Sequence, residues 1–261
     1  MGIRADRLAD YEGFVKKFQP KRTTDDCMTP APVYDAVLSW AIKEYSLEGR
    51  KIVRPFWPGG DYENFRYPKN CVVIDNPPFS IFSRICRDYV SRGIDFFLFA
   101  PALTIASSTA EVCNIVIPSS ADVVFENGAR ICIAFATNMG EWYIQTRPDL
   151  AAAIKASMRR TYPGNNPQVH NAVELPKEVC TPARLLKLKA DWRVRREEAT
   201  FTRTVGECKY ALFGGGFLLS ERAAAERAAA ERAAAERAAA YKVELSARER
   251  EIVEQLGKEP K

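Results

Sequence analysis

The segment Asp75-Asn76-Pro77-Pro78-Phe79-Ser80 brings together residue types that can hold a planar amine. Two prolines in a row fix two φ angles and donate no backbone hydrogen bonds, so the turn is rigid and the carbonyls of Asn76 and Pro77 are offered as acceptors. An exocyclic amine carries two hydrogens, and the Asn76 side-chain oxygen and the Pro77 carbonyl make a matched pair for them. Hydrogen bonding there draws the amine out of conjugation and raises electron density on its nitrogen. Phe79 offers a stacking face, and a base that reacts at its amine must first leave the duplex. The same residues also suit a plain strand-to-helix connector with Phe79 in the core.

Two other turns stand ahead of this one. Thr29-Pro30-Ala31-Pro32 precedes a helical pattern of Val33, Val37, Trp40 and Ala41, with Thr29 as a cap and the prolines at the entrance. Arg54-Pro55-Phe56-Trp57-Pro58-Gly59-Gly60-Asp61 follows a short strand, and glycines after a first strand let the backbone approach a ligand. An ordinary Pro-Gly-Gly turn is the alternative. His170 is the single histidine, and the cysteines at 27, 71, 86, 113, 132, 180 and 208 form no close pair with metal-ligand spacing. No metal is expected, and the cysteines read as reduced thiols of a cytoplasmic protein.

Asn76-Pro77-Pro78-Phe79 resembles the catalytic motif of the amino-group DNA methyltransferases, which is Asp, Asn or Ser, then Pro-Pro, then an aromatic residue. Thr29-Pro30 resembles that family's Thr-Pro turn, and Pro55, Phe56 and the glycines resemble its Asp-Pro-Phe and glycine segment. Arg54 stands where the family has an acid, leaving Asp61 or Glu63 to supply a negative charge. The resemblance covers roughly residues 29–137 and is nearest to the divergent adenine-specific branch related to the EcoRI modification enzyme and to phage or prophage proteins. It implies methyl transfer from S-adenosyl-L-methionine to the N6 amine of adenine in double-stranded DNA, as in a restriction-modification system. Asn76, Pro77, Pro78 and Phe79 would be the catalytic residues. Thr29, Pro30, Pro55, Phe56, Gly59, Gly60, Asp61 and Asp75 would hold the cofactor. The cytosine-N4 enzymes use a related turn, typically with Ser in place of Asn.

The elements that must position these turns can be read from hydrophobic pattern. Lys51–Phe56 reads as a strand into a turn, Cys71–Ile74 and Asp95–Ala100 as buried strands of a parallel sheet, and Ile81–Val90 as a helix closed by Gly93. Asp122–Phe125 and Ala129–Thr137 flank Asn127-Gly128, a hairpin signal. The resemblance makes this a Rossmann-like methyltransferase sheet ending in an antiparallel hairpin. It is shortened, because only fourteen residues separate Gly60 from Asp75, whereas a strand-helix-strand unit needs about 30. The family places two further strands there, one bearing an acid for the cofactor ribose, and no counterpart is evident.

The division expected is a charged lead-in at 1–28 with a short helix near Leu8–Phe18, a catalytic core at 29–140 and a basic region at 141–219. A helical spacer at 220–240 and a short helix at 241–261 complete it. Between Trp142 and Leu219, thirteen Lys or Arg face seven Asp or Glu; there Lys187, Lys189, Arg193, Arg195, Arg196 and Arg203 are the residues to contact phosphates. Helices are expected over Pro148–Arg159 and from Thr181-Pro182 to Ala190, with a loop at 164–167. From Glu221, Glu-Arg-Ala-Ala-Ala repeats four times; each unit turns the pattern by about 140°, so no single apolar stripe forms and a solvated rod is expected. Ser246 and Glu249 form a capping box ahead of Ile252, Val253 and Leu256, a helix able to serve a partner or self-association. No stretch is long and apolar enough to span a membrane. Other readings are a non-catalytic DNA-binding relative and a rod that serves assembly.

Overall fold

The computed structural model describes residues 28–56, 61–119, 121–125, 130–158, 175–240 and 248. The expected lead-in helix, Gly59 and Gly60, Asn127-Gly128, the 164–167 loop with His170, and the C-terminal helix beyond Tyr241 apart from residue 248 lie outside them.

The described residues form a mixed α/β fold with six helices. Helix α1 (Ala31–Glu44) starts with Pro30 at the cap position and a proline in its first turn, where a missing N–H would have had no helical partner anyway. Thr29, expected as the cap, lies one residue too early. The helix stops at Glu44, as the chain turns through Ser46 with φ of 52°. Strands β1 (Lys51–Val53), β2 (Cys71–Asp75) and β3 (Asp95–Pro101) are parallel neighbours, with Val53 opposite Val73 and Asp75 opposite Leu98. Between β1 and β2 the described residues hold only turns and extended chain.

A 3-10 turn at Phe79–Ile81 leads into α2 (Phe82–Ser91), and Gly93 at φ of 63° closes it as its lack of a Cβ predicts. After β3 come a second 3-10 turn (Ala102–Thr104), α3 (Ile105–Thr109), β4 (Asn114–Ile117), β5 (Asp122–Val124) and β6 (Arg130–Thr137). β5 and β6 pair antiparallel, as the Asn-Gly pattern predicts, and β6 inserts between β3 and β4. β7 (Ile144–Thr146), α4 (Pro148–Ser157) and β9 (Trp192–Val194) extend the sheet beyond β4, giving the order β1-β2-β3-β6-β4-β7-β9. A three-stranded sheet is made by β10 (Ala199–Val205), β11 (Tyr210–Leu219) and the short β8 (Val179–Cys180). α5 (Pro182–Lys187) follows β8, with the Thr181 hydroxyl accepting from the Arg184 N–H, and stops three residues before the expected Ala190.

The main sheet is buried on both faces, as a parallel centre requires. Val72, Ile74, Phe97 and Phe99 face one core with α1 and α4, while Val73, Phe96, Leu98 and Ala100 face another with α2 and α3. Helix α6 (Glu221–Ala240) carries the whole repeat. Its first half is not a solvated rod: Ala223, Ala224 and Arg227 are buried against the body. No helix among the described residues is long and apolar enough to cross a membrane.

Candidate functional site

Ligands of open α/β sheets gather where parallel strands end, and the loops leaving β1 and β2 lie side by side here. Asp75, the last residue of β2, is almost fully buried. Its Oδ2 accepts from the Phe56 N–H at 2.8 Å, and its Oδ1 accepts from the Asn76 N–H at 3.0 Å and from Arg54 Nε at 3.3 Å. Burial pushes the Asp75 carboxyl above the ordinary carboxylate range, against the pull of those donors. One side chain thus ties the Arg54-Pro55-Phe56 turn to the first residue of the Asn-Pro-Pro-Phe turn.

Helix α1 reaches the same place. Tyr34 donates its hydroxyl to the Ile74 carbonyl at 3.0 Å, and the Arg54 guanidinium sits 3.8 Å above the Tyr34 ring. Burial raises the Tyr34 phenol to about 12, so it stays protonated and keeps donating. Thr29, just ahead of the helix, is buried, and its Oγ1 has no hydrogen-bond partner among the described residues. A buried polar atom in that condition normally has a ligand or water to satisfy it.

Asn76 is half-buried, Pro77 buried, and Pro78 and Phe79 half-buried. Among the described residues Phe79 is not one of the side chains packed against either core cluster. Pro55 is buried, and the Phe56 ring packs 5.2 Å from the Tyr62 ring and 6.3 Å from the Tyr89 ring. The arrangement therefore joins Arg54, Phe56, Asp75 and Asn76 at the ends of β1 and β2, and Tyr34 brings the start of α1 to them. Tyr34 is the member that sequence reasoning missed. The available signal was a tyrosine on the buried stripe of α1 beside Val33 and Val37, since a buried phenol needs a partner for its hydroxyl.

Asp61 and Glu63 are held elsewhere. Asp61 Oδ1 accepts from the Glu63 and Asn64 N–H groups, Oδ2 accepts from Asn64 Nδ2 at 2.6 Å, and the Asn64 bonds draw its carboxyl below the ordinary range. Glu63 pairs with Arg84 at 2.5 Å. Of the six basic residues, Arg193 pairs with Asp191, Arg195 pairs with Glu141 and lies over Trp142, and Arg196 donates to the carbonyls of Ala110 and Cys113. Lys187 and Lys189 are exposed, and exposed Arg203 lies over the Phe201 ring.

A polar cavity of about 410 Å³ opens at the amino ends of β2 and β3, far from these loops. Arg50 there donates to the carbonyls of Asn70 and Cys71 and pairs with Asp95 at 2.8 Å, and Arg92 pairs with Asp88. Arg50 and Arg92 are thus engaged. No known protein family, curated protein or solved structure matches the chain.

Proposed function

We propose that this protein transfers a methyl group from S-adenosyl-L-methionine to the N6 amine of adenine in double-stranded DNA, working in the cytoplasm. The observation that carries the reading is the position of Asn76-Pro77-Pro78-Phe79. These residues leave the buried end of a parallel strand, beside the loop of the neighbouring parallel strand, with the Phe79 ring outside both cores. The Rossmann-like reading of the sheet draws on three parallel strands followed by an antiparallel hairpin strand set between β3 and β4.

The buried Thr29 hydroxyl suits a polar ligand at this end of the sheet, and Thr29, Pro30, Pro55 and Phe56 would hold S-adenosyl-L-methionine, with Gly59 and Gly60 next in sequence. The bound cofactor supplies the methyl group and an activated sulfur leaving group. Asn76 and the Pro77 carbonyl accept the two amine hydrogens and orient the nitrogen lone pair, and Phe79 stacks on the extruded base. Asp75 acts through position: with its lone pairs given to Phe56, Asn76 and Arg54, it fixes the spacing between the cofactor loop and the base loop.

The test is single-turnover methylation of duplex DNA with labelled cofactor. Asn76→Ala is expected to keep fold and cofactor affinity while slowing transfer by about 30- to 1,000-fold, the equivalent of roughly 2–4 kcal/mol lost from the transition state. Transfer at the parent rate would make the turn a mere connector. Mass spectrometry of the digested product separates N6-methyladenine from N4-methylcytosine. A second reading, a non-catalytic DNA-binding relative, draws support from residues 61–70, which carry neither strand nor helix and whose Asp61 is taken up by its own turn. Salt-dependent DNA binding with no methyl transfer would favour it.

A further inference from the structure

The hairpin β10–β11 contains an unusual bulge. Thr202 pairs with Gly216, and pairing resumes only at Thr204 with Ala211. Between those points Arg203 alone faces Leu212, Phe213, Gly214 and Gly215. Gly214 and Gly215 have φ of 72° and 75°, conformations that L side chains seldom adopt. A Cβ on Gly214 would overlap the Leu103 carbonyl, and one on Gly215 would overlap the Phe201 ring. The bulge is therefore clamped between the chain leaving β3 and its own partner strand. Its product is a phenylalanine aimed outward: Leu212 is buried while Phe213 is 78% exposed, well beyond any other large hydrophobic residue described.

Bulges beside functional sites re-aim a side chain, and the location of this one matters. Leu103 follows β3 by two residues, so the clamp lies at the same end of the sheet as Asn76. α5 packs on both the 102–104 turn and β11. The hairpin and the helix packed on it carry exposed cations: Arg203 opposite the bulge, Lys209 in the hairpin turn, Lys187 at the end of α5 and Lys189 just after it. Glu207 is the only acid within the hairpin. An outward aromatic ring on a clamped hairpin that also carries exposed cations is suited to a polyanion that has a stacked interior.

We propose that Phe213 is a wedge that enters the double helix as the target adenine is turned out toward Asn76, with Arg203, Lys209, Lys187 and Lys189 on the flanking phosphates. This rests on the function proposed above and identifies the duplex, in addition to the single base, as something the protein reads. The test compares methylation of adenine-unmethylated plasmid DNA in duplex form with the same plasmid after heat denaturation. Inserting a ring where a base has left offsets an unstacking cost that single strands do not present. Phe213→Ala should lower the duplex rate by about tenfold or more and leave the denatured-strand rate within about twofold, whereas Phe213→Trp should keep the duplex rate. Thermal melting should match the parent, because the ring is exposed. An unchanged duplex rate, or an equal loss on both substrates, overturns the wedge while leaving methyl transfer intact. An unchanged duplex rate with an altered oligomeric state would place Phe213 against a second copy of the chain. If the parent methylates neither substrate, the proposed function fails, and the wedge with it.

Discussion

At the scale of single residues, Asp75 links the two loops on which the proposed chemistry depends. Its carboxylate is almost fully buried and accepts from three donors, on Arg54, Phe56 and Asn76. The tetrapeptide and the neighbouring Pro55-Phe56 were legible in sequence because each is a contiguous run with a distinctive chemistry. The inversion at Arg54 was visible too, but its meaning was not. Only the fold brings Arg54 to Asp75 and Tyr34, residues about twenty positions away in either direction. Asp75→Asn would place an amide donor against a backbone N–H or against Arg54, and remove the carboxylate charge that faces the cation. Chemical denaturation should then show a loss of about 2 kcal/mol, from an unsatisfied buried donor and a weakened ion pair that Arg54's partial exposure discounts. A stability equal to the parent would mean that the Phe56 and Asn76 loops are not held through this carboxylate.

At the scale of elements, segments with five or more buried residues or a marked turn signal were readable, and short ones were not. β2 and β3 are apolar runs long enough to stand out, and the β5–β6 pair has Asn-Gly between its strands. β7, β8 and β9 have two or three residues each, too few for any period to show; their pairing partners define them. The contact between α1 and α4 was equally hidden. Trp40 Nε1 donates to Asp149 Oδ2 at 2.8 Å, Arg147 grips both oxygens of Asp149 at 3.0 and 2.7 Å, and Arg147 also pairs with Glu44. Burial alone would raise the Asp149 carboxyl, but the bonds from Arg147 and Trp40 prevail and bring it down to about 2. A depressed folded value means that the stabilisation is complete above the unfolded value near 3.9 and is lost as pH falls toward 2. The parent should therefore lose roughly 1 kcal/mol through this group between about pH 4 and 2, after discounting for the half-exposed side chain. Urea titrations across that range should show a shallower decline in Asp149→Asn; identical slopes would remove Asp149 from the linkage between the helices.

At the scale of the whole molecule, the repeat behaves in a way that its sequence concealed. A five-residue period turns the pattern by about 140° per unit, so charges spiral round the helix and no single apolar stripe forms, and that argued for a rod in water. Alanine at three positions of every five changes the outcome, because a helix so sparsely decorated can dock along almost any face. The face used carries Ala223, Arg227, Ala230 and Ala234, separated by helical steps of four, three and four, with Ala224 beside them. The arginine caught in it gives Nη2 to the Lys177 carbonyl at 3.1 Å and Nη1 to Glu231 at 3.2 Å, so its charge is answered where its stem is covered. Ser220 caps the helix through the Ala223 N–H, and Arg222 pairs with Glu198 beneath it. The repeat thus supplies an internal control, since Ala224 and Ala229 occupy the same position in successive units, the first fully buried and the second exposed. Helix propensity changes equally little in both when either becomes glutamate. Ala224→Glu should cost about 3 kcal/mol or more by forcing a carboxylate into the core, while Ala229→Glu stays within about 0.5 kcal/mol of the parent. Paired urea melts measure the contrast directly. Equal stability in the two variants would return the repeat to a detached rod, and an equal large loss would mean that the second unit is packed as closely as the first.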